Sequence, residues 1–291
     1  MQVGIDSYSY HRRYGETRAG ERALPDRWPP GPAPVLAHAR SLAVDAVFLE
    51  TCYLAEPETY DDALAADAAP VRVGFSWGHP WPDGRFHGLD GGRSWGAEME
   101  LGRWIEAAAR LDHPVLRITG GSPASRGDEP AEVLVERLTG PLRRAANHAT
   151  DAGIRLALEN HGDLTVADIL ALIERVDSPA LGVCLDNVNL IRVGDDELEG
   201  TRALAPHALL VQLKDYAPGD PTVWGGPVCT ALGEGVGPLP EIIAILDRSG
   251  FDGPVCVELA SLGDGPVDEL VLIERSVEWL RAHVPVSAMR Q

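Results

Sequence analysis

The chain has 291 residues, 45% of them apolar and 24% charged, with 25 Lys and Arg against 44 Asp and Glu, a formal charge of −19. Such a composition belongs to a folded chain, and the charge argues against DNA, RNA or anionic lipid as the main partner, because gripping either needs a basic stripe. The opening residues MQVGIDSYSYHRRYGE show no basic start followed by an apolar run, and no stretch reaches the roughly 18 apolar residues of a membrane span, so the expectation is a cytoplasmic protein.

Short runs rich in Val, Ile and Leu predict strands at 3–8, 46–51, 71–77, 115–120, 154–161, 181–188, 209–215 and 255–260. Between them, helical spacing predicts helices over 95–111, 130–152, 165–176, 239–249 and 267–283. Near-continuous apolar strands are what a parallel sheet covered on both faces requires. Eight strand–helix units in succession predict an α/β protein of the (β/α)8 TIM barrel type, a single domain over 1–291. The Pro- and Gly-rich segments 27–34 and 218–240 each follow a strand, so they read as loops over one barrel mouth rather than linkers. No GxGxxG follows the first strand and no GxxxxGK[ST] occurs, which leaves nucleotide binding without support. Cys52, Cys184, Cys229 and Cys256 are scattered without a CxxC pair and read as buried thiols.

The last four strands end alike. LALENH ends at Glu159, GVCLDN at Asp186, LLVQLKD at Gln212 and VCVELA at Glu258, each an apolar run closed by a metal-capable side chain. Two residues earlier stand Ala157, Cys184, Leu210 and Cys256, which share the inward face, so that face turns from apolar to acidic at the C-terminal end of each strand. Three carboxylates converging on one mouth repel by several kcal/mol at low effective dielectric, roughly, and a divalent cation is the simplest neutraliser. An oxygen-only set of Glu159, Asp186, Gln212 and Glu258 suits one Mg²⁺ or Mn²⁺ better than zinc.

The runs LALENHGDLT, LGVCLDNVN, VQLKDY and ALGEGVGPLPEIIAILDRSGFDGPVCVEL resemble the sugar phosphate isomerase/epimerase group of the xylose isomerase-like TIM barrel superfamily, strongly over residues 150–260 and by architecture before them. The resemblance implies that Glu159, Asp186, Gln212 and Glu258 bind one divalent metal, with Glu159 and Glu258 also the catalytic acid and base. Where the family commonly has HxHLKD this chain has LVQLKD, with Leu210 and Gln212 in place of two histidines. Glutamine at that ligand position resembles the hydroxypyruvate isomerase branch, and Asn189 sits where the ketose 3-epimerase branch places a substrate-binding His.

The expected activity is therefore a metal-dependent ketose isomerase or epimerase working through an enediolate. The alternative is a metal-dependent dehydratase or lyase on a keto-sugar or keto-cyclitol, inosose dehydratase-like or the subunit of a C-glycoside deglycosidase. Behind these stand an abasic-site endonuclease, which the −19 charge disfavours, and a sugar-binding barrel without activity. Lys214, the only lysine among 25 basic residues, faces the way Gln212 does and is expected to touch a substrate oxygen. His161 stands in the same relation to Glu159, either a structural hydrogen-bonding residue or a substrate contact. Trp77 and His79, with Trp81, offer a floor for a sugar ring, against the alternative of loop packing. Arg117 and Glu50 end strands and are read either as substrate contacts or as an ion-pairing cation and acid. Asp215 and Asn160 alternate outward and are expected to brace loops. Residues 11–33 carry five Arg and read as a solvated loop or as a lid for an anionic substrate. A homo-oligomer remains open, and the expected partner is a small sugar or polyol.

Overall fold

The computed structural model describes residues 1–18, 20–78, 88–111, 113–219 and 227–285. In chain order the elements are β1 (Gln2–Asp6), α1 (Ala33–Ser41), β2 (Ala46–Glu50), α2 (Asp62–Ala68), β3 (Arg72–Trp77), α3 (Trp95–Ala108), β4 (Val115–Thr119) and α4 (Ala131–Asp151). They continue with β5 (Arg155–Glu159), α5 (Val166–Val176), β6 (Leu181–Asp186), α6 (Asn187–Arg192), α7 (Glu197–Leu204), β7 (Ala208–Leu213), α8 (Leu239–Arg248), β8 (Pro254–Val257) and α9 (Glu269–His283). These eight strands close into one barrel in the order β1-β8-β7-β6-β5-β4-β3-β2, every neighbouring pair parallel, while Asp215–Tyr216 and Cys229–Thr230 pair antiparallel as a separate short ribbon. This is the (β/α)8 TIM barrel, formed as one domain.

Two apolar layers hold it. The outer one lies between strands and helices. There α4 turns Leu134, Leu138, Leu142, Ala146 and Ala149 onto the sheet, while α8 contributes Leu239, Ile242 and Leu246, all buried. The inner layer is small and shaped: Ala46, Phe48, Val115, Ala157, Cys184, Leu210 and Cys256 fill the barrel axis. Phe48 fits because β3 offers glycine opposite it; a Cβ on Gly74 would stand 2.6 Å from the Phe48 ring. The four predicted inward positions Ala157, Cys184, Leu210 and Cys256 are all in this layer, and all four thiols of the chain are buried and free. Among the described residues no helix is long and apolar enough to cross a membrane.

The barrel floor carries a buried histidine. His113, just before β4, accepts the Val115 N–H at Nδ1 (3.3 Å) and meets the Phe48 ring edge-on at 4.9 Å. Burial, with Arg72 and Arg155 adding to it, pushes its pKa down to about 3 from an ordinary 6.5. The native state thus keeps it neutral where the unfolded chain protonates it. Its contribution to stability is complete above pH 6.5 and is lost as pH falls toward 3. His113→Asn keeps an acceptor for Val115 without the titration, so the variant is expected to lose less stability than the parent between pH 7 and pH 4. Urea unfolding at several pH values checks this; parallel stability curves for the two proteins would show that His113 does not carry the acid sensitivity.

Candidate active site

The C-terminal ends of the strands carry the chemistry. Glu159 closes β5, Asp186 closes β6, Gln212 lies in β7 opposite Asp186 in the register, and Glu258 follows β8 directly. Each is at most 4% exposed. Two further acids stand with them: Glu50, predicted from the end of β2, and Asp6 at the end of β1.

Five buried carboxylates meet two buried cations. Arg117, from β4, lies between Glu159 (Nε to Oε2, 2.6 Å) and Glu50 (Nη2 to Oε1, 3.3 Å). The Lys214 ammonium lies between Asp186, in direct contact, and Glu258 at 3.0 Å. Asn189 ties the two halves together, its Nδ2 donating to Glu159 Oε1 (3.1 Å) and to Asp186 Oδ2 (2.6 Å). Asp186 Oδ1 meanwhile accepts the N–H groups of Val188 and Asn189, so the same residue caps α6 and points at Lys214.

The backbone around these groups is clamped by amides. Asn160 exchanges two hydrogen bonds with the Asp186 backbone, and Asn187 does the same with the Lys214 backbone. Asp215 accepts the N–H groups of Gly233, Gly235 and Gly237 and fixes the loop ahead of α8. A Cβ on Gly235 would come within 2.2 Å of that carboxylate, which is why a glycine stands there.

Burial outweighs the two cations for three of the acids. It lifts Glu50 well above the usual carboxylate range despite Arg117, raises Asp6, and pushes Glu258 up to about 8 against the pull of Lys214. Lys214 shows the reverse balance: burial disfavours its charge, and Asp186, Glu258 and Glu159 together hold it above the ordinary lysine value.

Five acids crowded on two cations and an orphaned oxygen, Glu258 Oε2, buried and without a hydrogen-bond donor among the described residues, fit a hard divalent ion. The donors Glu159, Asp186 and Glu258 are all oxygen. Gln212 stands apart from them: its Nε2 donates to Asp6 Oδ2 (3.1 Å) and its Oε1 accepts from the Cys184 thiol (3.2 Å). As the side chains stand, no three His, Cys, Asp or Glu among the described residues are grouped closely enough to share an ion. Lys214 and Asn189 lie between the carboxylates instead.

A pocket opens above this cluster, about 470 Å³ with the open solvent at its mouth counted in. Glu159, Glu258, Arg117, Lys214, His161 and Asn189 line it. His161 donates Nδ1–H to the Gly121 carbonyl (3.0 Å), and burial pushes its pKa down to about 3, so the ring is neutral. Glu50 and Gln212 sit beneath the pocket, holding Arg117 and Asp6. Trp77 does not join the site. It is fully buried among the helix-facing apolar residues and its indole N–H reaches Glu100 of α3 (3.3 Å), while its neighbour Ser76 faces inward and donates to Asp6. The expected sugar floor at Trp77 is therefore corrected to packing under α3. His79 and Trp81 lie outside the described residues.

Four contributors were not singled out from the sequence: Asp6, Tyr8, Arg18 and Arg192. Asp6 had a readable signal, because VGID ends β1 as the other acid-tipped runs end theirs. Tyr8, Arg18 and Arg192 line the pocket from a turn, a loop and the end of α6, where no periodicity marks them. Part of segment 11–33 is anchored rather than solvated: Arg12 is 1% exposed and paired with Glu269 (2.5 Å), and Tyr14 stacks on Tyr53 at 4.4 Å.

A parallel barrel with acids at the C-terminal mouth defines a class that comparison makes specific. Residues 84–283 match the family described as xylose isomerase-like TIM barrel, and the chain belongs to it. Among solved structures it is similar to an L-ribulose 3-epimerase (18% identity, TM-score 0.70), covering 100% of this chain and 99% of that one. It is also similar to a xylose isomerase-like TIM barrel protein from Mycobacterium smegmatis in complex with magnesium (20%, TM-score 0.68, covering 96% and 95%). A relative from Pectobacterium atrosepticum named 3-oxo-isoapionate decarboxylase is 26% identical over 132 residues. That match takes in 42% of this chain and 46% of the relative, so the chain spans less than half of that protein.

Proposed function

We propose that the chain is a ketose isomerase or epimerase in which Glu159 and Glu258 form the acid–base pair. The observation that carries the reading is two glutamates facing one pocket, each held on one side by its own cation, Glu159 by Arg117 and Glu258 by Lys214. The carbon beside a ketone is a weak acid, so a base must sit within hydrogen-bond reach of its proton, and an acid must return a proton to the same carbon or its neighbour. Arg117 and Asn189 fix the orientation of Glu159, which suits it to proton removal. Glu258, with one buried oxygen unpartnered, is suited to carry the proton back. Lys214 and neutral His161 are placed to hold substrate oxygens, as charge and as uncharged ring.

Glu159, Asp186 and Glu258 are the residues that would hold one Mn²⁺ or Mg²⁺, Gln212 joining them only by releasing Cys184 and Asp6, and a bound ion would supply Lewis-acid stabilisation to substrate oxygens. Because the Lys214 ammonium occupies the space between two of these donors, Lys214→Met is expected to bind Mn²⁺ at least about tenfold tighter than the parent, since one competing positive charge is gone. Calorimetric titration of the metal-stripped proteins checks it, and unchanged or weaker binding would show that lysine and metal do not compete.

A second reading is favoured by one comparison, the relative named as a decarboxylase: loss of a group from a keto acid or keto-cyclitol also develops charge beside a carbonyl and needs the same electrophiles. Incubating the protein with a panel of ketoses, keto-aldonates and keto-inositols in deuterated water, with and without Mn²⁺, tests both. Deuterium gained at carbon without mass loss supports proton exchange; a product lighter by water or carbon dioxide supports the lyase. Neither, across the panel, would sink the acid–base assignment.

A further inference from the structure

On a chain with a net charge of −19, the pocket is lined by four cations, Arg18, Arg117, Arg192 and Lys214, against two carboxylates. Arg117 and Lys214 are committed to the acids beneath them. The other two are not. Arg192, at the end of α6, donates one Nη1 hydrogen bond to Asn189 Oδ1 (3.0 Å) and pairs with no carboxylate among the described residues. Its guanidinium lies over Gly162, where a Cβ would stand 3.6 Å from Cζ. That glycine has φ +78°, a turn that favours glycine just past Glu159 and His161, and Arg192 packs against it. Arg18 reaches the same pocket from the segment after β1. Its Nε donates to the Tyr8 hydroxyl, its guanidinium lies 5.0 Å from the Tyr8 ring centre and 3.9 Å from the Glu16 carboxylate, and its backbone N–H donates to Glu21 (2.6 Å).

A neutral sugar gives such groups nothing to neutralise. A guanidinium held at a mouth by one hydrogen bond, as Arg192 is, with a second beside it whose Nη donors make no hydrogen bond among the described residues, matches a planar or tetrahedral oxyanion on the ligand. We propose that the substrate is an anionic sugar, bearing a terminal carboxylate or phosphate that Arg192 and Arg18 receive while its hydroxylated part extends to Lys214, Glu159 and Glu258. This rests on the reading of the pocket as the substrate site, and it narrows the substrate class of that reading.

The test reads binding alone, so it stands or falls separately from proton exchange. D-fructose, 5-oxo-D-gluconate and D-fructose 6-phosphate are titrated by calorimetry into the full chain and into Arg192→Gln, Arg18→Gln and Arg155→Gln. The last removes the same charge at the exposed start of β5, far from the mouth. At least one anion is expected to bind tenfold or more tighter than D-fructose, with the advantage lost in Arg192→Gln, reduced in Arg18→Gln and kept in Arg155→Gln. Preference for 5-oxo-D-gluconate assigns a carboxylate and preference for the phosphate ester assigns a phosphate. Anions binding no tighter than D-fructose, or an advantage that survives in Arg192→Gln or vanishes equally in Arg155→Gln, would overturn the proposal. Thermal midpoints of the variants establish that each is folded.

Discussion

Glu258→Gln is expected to lower kcat for carbon-bound proton exchange by about 10²–10⁴-fold, the usual worth of a positioned general acid or base, with a far smaller change in KM. The substitution keeps the size and one hydrogen-bonding oxygen of a side chain that is 4% exposed, and it deletes the proton-carrying group. Stability should move little or rise, because burial already disfavours charge at this position and the amide has none to desolvate. Glu159→Gln is expected to lose as much activity; it removes the 2.6 Å partner of Arg117 as Glu258→Gln removes the 3.0 Å partner of Lys214. Solvent deuterium exchange at saturating substrate, with circular dichroism as a folding control, measures both. Exchange within about threefold of the parent in either folded variant would remove that glutamate from the chemistry, a threshold well below the lower end of acid–base effects.

How much of this was legible in the sequence depended on the range of the contact involved. Parallel strands covered on both sides must be apolar on both faces, so the eight barrel strands were written as runs that can be read directly. Their ends were less legible: the first run was read through 8, yet β1 stops at Asp6, whose Oδ1 accepts the Tyr8 N–H and starts a 3-10 turn over Ser7–Tyr10. The helices α1, α2 and α7 were missed because they are short and Ala-rich or sit beside Pro and Gly, so that tertiary packing rather than propensity makes them. The acids at strand ends were legible because side-chain alternation is local. The same alternation, applied to β3, turns Gly74 and Ser76 inward and Val73, Phe75 and Trp77 toward the helices, which is the physical reason Trp77 leaves the site. Lys214 stood out by being the only lysine. Arg18 and Arg192 did not, because nothing within a few residues of either records that the fold brings them to one mouth.

Arg117→Met is the substitution with the largest expected cost to stability, about 3–5 kcal/mol at pH 7.5, because it leaves Glu50 and Glu159 buried with no cation between them. Methionine preserves most of the buried side-chain volume, so the loss reports charge rather than a cavity. The pH dependence has a definite sign. Burial already holds Glu50 well above the usual carboxylate range with Arg117 in place, and removing the guanidinium takes away its largest stabilising charge. In the variant the native state therefore binds more protons than the unfolded chain at pH values above the ordinary carboxylate range, and stability falls as pH rises and recovers as pH is lowered. The difference between parent and variant should be smaller at pH 5.5 than at pH 7.5; His113 is common to both proteins and cancels in that difference. Adding Glu50→Gln to Arg117→Met should restore part of the loss at pH 7.5, since the amide needs no counter-charge. The double-mutant cycle then gives the coupling between the two residues. Urea unfolding of the four proteins at both pH values measures it. A loss below about 1 kcal/mol, typical of an exposed pair, or an equal loss at both pH values, would mean that water or another cation reaches Glu50 and Glu159 and that the mouth of the barrel is less dry than its geometry indicates.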